Sequence, residues 1–134
     1  MSQIQEVFRN EHWFLQRDEE RLLLFARRTA APQLTAQVIE ASFRELEAAL
    51  DAEGRASKSL LVDFSGGPEP ARHDPEFERT VKPHADGFAR GFVKVVALTR
   101  TLPGRTQVAT FFRQNGFNVA VFTDETEAIA SLAT

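Results

Sequence analysis

Ser59-Leu60-Leu61-Val62-Asp63-Phe64-Ser65-Gly66-Gly67 decides how the rest of the chain is read. An apolar run closed by Asp63 and a glycine pair predicts a strand covered on both faces, because a half-exposed strand would alternate polar with apolar residues. Such a strand is central and parallel to its neighbours. Parallel neighbours require crossover connections, and the sequence supplies amphipathic segments on both sides.

Upstream, Thr35 is placed to cap a helix whose Ile39, Phe43, Leu46 and Leu50 share one stripe, with Glu40, Arg44, Glu45 and Glu47 on the other side; Gly54 ends it. Before that, His12–Arg17 and Arg21–Arg27 are two β-prone runs around the polar triplet Asp18-Glu19-Glu20, a hairpin signal without glycine. The first of them is expected at the sheet edge. Residues 1–11 show little periodicity and are expected to be a loose lead-in, with a single domain over 12–134.

Downstream, Ser65–His73 is a turn-rich loop, and Asp74-Pro75 opens a helix with Phe77, Val81, Ala85 and Phe88 inward. Phe92–Thr99 is the next strand, Leu102–Asn115 a helix with Gly116 just past its end, and Phe117–Phe122 the last strand. Asp124 and Glu127 are placed as a reciprocal cap for a final helix with Ala128, Ile129 and Leu132 inward. The expected fold is α/β, ββαβαβαβα: a five-stranded mixed sheet, its first strand antiparallel at the edge and the rest parallel in sequential order.

The chain has 134 residues, enough for one domain with a sizeable core. It contains no cysteine, which excludes disulfides, thiol catalysis and thiolate metal sites. No apolar run approaches the roughly 18 residues of a membrane span, and the N-terminus lacks the build of a signal peptide, so a cytoplasmic address is expected. A net charge of -3 argues against nucleic acid as a partner. Twelve phenylalanines and no tyrosine place most aromatic rings in the core, where no polar group needs a partner.

The pattern and the stretches "SLLVDFSGG", "VKVVALTR" and "VAVFTDETEAIASL" resemble the SpoIIAA-like (STAS) fold family of bacterial anti-sigma-factor antagonists over residues 12–133. The resemblance implies crossover helices gathered mainly on one face of the sheet, with much of the other face left for contact. The phosphorylatable members share an Asp-Ser-Ser-Gly type motif at the start of the helix after the third strand. Here Ser65-Gly66-Gly67-Pro68-Glu69-Pro70 has no serine after Ser65, so the phosphoserine switch does not carry over. The resemblance extends to Sec14-type lipid-binding domains.

Asp63, Ser65, Gly66 and Gly67 could form a nest of backbone N–H groups for an anion, or a strand-ending turn with Asp63 held by nearby amides. The Lys and Ser/Thr that a phosphate loop needs after its glycines are replaced by Pro68-Glu69-Pro70. His73 with Asp74, and His84 with Asp86, fit no metal spacing and are expected to be solvated. Arg27, Arg28, Arg72, Arg100 and Arg105 follow the carboxyl ends of expected strands, the rim where α/β sheets bind ligands. The alternative is a rim of arginines paired with Glu69, Asp74 and Asp124, each pair contributing little. No catalytic residue and no cofactor is expected. The expected function is a non-enzymatic interaction or regulatory module whose partner is another protein or a second copy. A homodimer would form through the bare sheet face or the first strand. The alternative is binding of a small apolar or lipid-like ligand with an acidic head group.

Overall fold

The computed structural model describes residues 4–32, 35–67, 84, 87 and 89–133. Among them six strands form one mixed sheet in strictly sequential order: β1 (Ile4–Arg9), β2 (Trp13–Asp18), β3 (Leu23–Arg28), β4 (Ser59–Asp63), β5 (Val95–Leu98) and β6 (Ala120–Phe122). The first three are joined antiparallel, and β3 to β6 run parallel. Three helices lie wholly among the described residues: α1 (Ala36–Glu53), α2 (Leu102–Gln114) and α3 (Glu125–Leu132). His84, Gly87 and Ala89 are also helical, within the segment expected to be a helix. Its expected cap, Asp74, and residues 68–73 of the loop before it lie outside the described residues.

β4 occupies the interior place expected of it, and all five of its residues are buried. Thr35 caps α1 as expected, its hydroxyl accepting from the Val38 N–H. Asp124 caps α3 by accepting from the Glu127 N–H.

The strand count is corrected from five to six. Residues 4–9 are β1, so the sheet edge is β1 and β2 lies inside it. The reason is a bulge: pairing with β2 shifts between Glu6 and Phe8, and Val7 and Phe8 both pack toward the same core. A bulge puts two residues opposite one and breaks the alternation that marks a half-buried strand. Asn10 then turns the chain, its Oδ1 accepting from the backbone N–H of His12 and of Trp13.

The β2–β3 turn manages without glycine. Asp18, fully buried, accepts from the Arg21 N–H through Oδ1 and from Arg21 Nε through Oδ2, and Leu22 takes a left-handed φ of 54°. That conformation is strained for a leucine, and this one is half exposed. Leu22→Gly is therefore expected to stabilise the fold by roughly 0.5–1 kcal/mol, the relieved strain exceeding the added chain entropy. A denaturant midpoint equal to or below wild type would contradict this.

The helices divide between the two faces. Phe43, Leu46 and Leu50 of α1, Phe112 of α2 and Ala89 pack on Leu15, Leu24, Leu60, Val62, Ala97 and Val121. Ala128, Ile129 and Leu132 of α3 pack on the opposite face against Leu23, Phe25, Leu61, Val96 and Leu98. The expected bare face is thus covered over β4, β5 and β6. A homodimer through a bare sheet face is thereby left without its apolar surface, since Trp13 and Leu15 are buried in the first core and alternate residues of β3 and β5 lie under α3.

Candidate functional site

The carboxyl ends of the parallel strands carry most of the polar residues singled out from the sequence. The register sets Arg27 of β3 beside Asp63 of β4, and Asp63 beside Leu98 of β5. Because strand side chains alternate, Arg27 and Arg28 leave β3 on opposite faces. The rim residues consequently form two separate groups.

On the α3 face, Arg27 is held from three sides. Its Nε donates to Gln16 Oε1 at 2.7 Å, and its Nη1 donates to Asp63 Oδ2 at 2.7 Å and to Glu125 Oε1 at 2.6 Å. Asp63 is buried, and its other oxygen accepts from the backbone N–H and the hydroxyl of Ser65. Burial works against the Arg27 charge, but the hydrogen bonds and charges of Glu125 and Asp63 outweigh it and raise the pKa above its ordinary value. The guanidinium also lies over the Phe25 ring, 5.0 Å from the centroid. Arginine paired with carboxylates at the rim is one of the two expected arrangements, although the partners are Asp63 and Glu125 rather than Glu69, Asp74 or Asp124. Gln16 and Glu125 carried no sequence signal of their own. Gln16 reaches Arg27 only because β2 pairs with β3, and Glu125 only because α3 crosses to this face.

On the other face Arg28 is buried, and desolvation lowers its pKa. Its Nη1 donates to the carbonyls of His12 and Thr29 and its Nη2 to that of Ala31, so it ties together the loops at this end of β2 and β3. Gly66 and Gly67 pack directly on it. A Cβ at Gly66 would lie 2.8 Å from the Arg28 carbonyl oxygen, and one at Gly67 2.4 Å from Arg28 Cγ. Neither glycine has a positive φ. They are therefore explained by close approach of the β4 loop to β3, not by the left-handed geometry of an anion nest.

Arg100 and Arg105 are exposed beyond the end of β5, the latter one turn into α2. Arg72 lies outside the described residues, as do His73, Asp74 and Asp86. His84 is buried rather than solvated: its ring stacks on Phe43 with centroids 4.9 Å apart, and Nδ1 lies 3.0 Å from Glu47 Oε2. Gly87 admits this glutamate, since a Cβ there would collide with Glu47 Oε1. Among the described residues no group of three or more histidines and carboxylates is arranged to hold a metal ion, and no helix is long and apolar enough to cross a membrane.

The surface with open bonding capacity is elsewhere. Among the described residues β1 pairs with β2 on one side only and its other side ends the sheet, leaving outward N–H and C=O groups for water or another strand. Ile4, Gln5, Glu6 and Arg9 are exposed, whereas Val7 and Phe8 are half buried. β2 next to it presents Phe14 and Gln16 on the face of α3, with Arg9 lying over the Phe14 ring at 4.5 Å. Comparison with known proteins adds no name to this architecture, since no family model, curated protein or solved structure matches the chain.

Proposed function

We propose that the chain is a non-enzymatic protein-interaction module, of the SpoIIAA-like kind that its sequence pattern resembles, and that it docks through the β1 end of its sheet. The observation that carries this reading is the open β1 edge, flanked by a strip of sheet that lies beyond α3. A strand added there gains main-chain hydrogen bonds along its length, and the exposed side chains of β1 select which strand is accepted. The rim cluster supports the same reading from the other direction. Arg27, Asp63 and Ser65 spend their hydrogen bonds on each other, on Gln16 and on Glu125, as a device that fastens β2, β3, β4 and α3 together.

The test is a native mass spectrum of protein isolated from its host, followed by hydrogen exchange of the Ile4–Arg9 amides in the assembled and dissociated forms. The expected result is an assembly in which those amides are protected and from which dissociation releases them. Monomers retaining a small apolar molecule would favour the carrier reading instead. An assembly whose β1 amides exchange as in the monomer would remove β1 from the interface.

A further inference from the structure

The side-chain order along β1 is unusual for an edge strand and restricts what can pair with it. Register with β2 sets Glu6 beside Gln16, Phe8 beside Leu15 and Arg9 beside Phe14, with Val7 as the extra residue of the bulge. Glu6 and Arg9 consequently share the face of α3, while Val7 and Phe8 both pack toward the core of the opposite face. Three residues apart, Glu6 and Arg9 would point to opposite faces of a regular strand; the bulge brings them together, and Arg9 Nε donates to Glu6 Oε1 at 3.0 Å. Read along the chain, the order is acid, two inward apolar residues, base. Turned end for end it becomes base, two inward apolar residues, acid.

We propose that β1 pairs antiparallel with β1 of a second copy about a twofold axis between Val7 and Phe8, joining two six-stranded sheets edge to edge. In this register Glu6 lies opposite Arg9 of the second copy, and Val7 lies opposite its Phe8. Like faces meet throughout. The register one step shorter would set outward Glu6 against inward Phe8, burying a carboxylate or exposing a phenylalanine, so the faces select the first. Each Glu6 then has its own Arg9 along the strand and the other copy's Arg9 across it, and the four charges alternate in sign. Opposite charges facing each other across a strand pair stabilise it, whereas like charges there destabilise it.

The bulge fits the same partner. A bulge ordinarily protects an edge, because a straight strand loses register on crossing it. A second copy related by an axis through the bulge carries the same kink at the same height, so the two strands bend together. The device thus refuses an arbitrary extended strand and accepts its own. An isologous contact of this kind closes at two copies and leaves each β6 edge at the far ends. The paired strip is short, so the affinity belongs in the micromolar range rather than the nanomolar one.

This inference rests on the reading of β1 as a docking edge, and its test separates the two. Glu6→Arg and Arg9→Glu are made singly. Both positions are exposed, at 43% and 55% of the side chain, so the fold itself depends little on either. Sedimentation velocity is run to high micromolar concentration on wild type, on each variant alone and on an equimolar mixture. Wild type is expected to dimerise, and each variant alone to do so at least tenfold more weakly, since acid then faces acid or base faces base across the axis. In the mixture, a chain carrying Glu6→Arg meets one carrying Arg9→Glu, so that base again faces acid at both ends of the pair, and a heterodimer of near wild-type affinity is expected. Recovery in the mixture also separates the cross-axis contact from the stacking on Phe14 that Arg9→Glu loses. Variants that dimerise as wild type does, or a mixture that stays monomeric while wild type dimerises, would overturn the pairing and leave an interaction module using another surface. Wild type remaining monomeric throughout would overturn self-pairing, while protected β1 amides in an assembly from the host would keep the docking edge for a different protein.

Discussion

Phe25→Ala is expected to lower the unfolding free energy by about 4 kcal/mol, the range for truncating a fully enclosed phenylalanine. Phe25 has no solvent exposure and stands in the middle of the smaller core, among Leu23, Leu61, Val96, Leu98 and Ala128. Among the described residues one short helix, α3, closes that core from outside, and the Arg27 guanidinium lies over the ring. Truncation therefore opens a cavity under a lid of eight residues with little apolar surface to spare. The loss should be read in two signals. Chemical denaturation should show the full destabilisation, and the α3 amides should exchange faster than those of α1, which packs on the other face. A loss under about 1 kcal/mol would place Phe25 outside any enclosed core and refute the two-faced arrangement.

Asp63→Ala is expected to cost about 3 kcal/mol. The substitution removes an acceptor from three donors at once: Arg27 Nη1, the Ser65 N–H and the Ser65 hydroxyl. Arg27 keeps Gln16 and the more exposed Glu125, which limits the damage to part of what a wholly orphaned buried charge would cost. Because the penalty comes from stranding the partner, removing the partner too should return much of it. The double variant Arg27→Met with Asp63→Leu is expected to be more stable than Asp63→Ala alone, by more than the sum of single effects allows. Urea denaturation of Asp63→Ala, of Arg27→Met and Asp63→Leu singly, and of the double variant decides. Additive losses would mean that the pair is not coupled and that Asp63 serves the Ser65 turn alone.

How far these features could be read in advance depended on the physical signal at each residue. β4 was legible because a strand buried on both faces leaves a continuous apolar run, Leu60-Leu61-Val62. The 18-residue helix α1 was legible from its stripe and from Thr35. β1 was not, since the bulge at Val7 removes the alternation a reader looks for. Helical periodicity shows that α3 has an apolar side but not which sheet face receives it, and a patch for face-to-face dimers was therefore expected where a helix lies. At the rim, strand-end position marked Arg27, Asp63 and Ser65 each as candidates, but that Arg27 pairs with Asp63 follows only from the β3–β4 register. Period-two alternation already separated Arg27 from Arg28, a signal that grouping all rim arginines together passed over. Of the two readings of the glycine pair, the strand-ending turn with Asp63 held by a nearby amide agrees with the structure and the anion nest does not, whereas the room that both glycines leave beside Arg28 is revealed only by tertiary packing.

The strictly sequential strand order sets an order of assembly as the chain is synthesised. Each strand pairs only with its neighbours in sequence, so β1, β2 and β3 can form their meander from local contacts alone. Once α1 and β4 have emerged, one face of the growing sheet is covered. The other waits. Among the described residues, the helix that covers Leu23, Phe25 and Leu61 is Glu125–Leu132, the last to leave the ribosome. A chain stalled or cut just before α3 would display that apolar surface, the kind of exposure that draws chaperones and seeds aggregation.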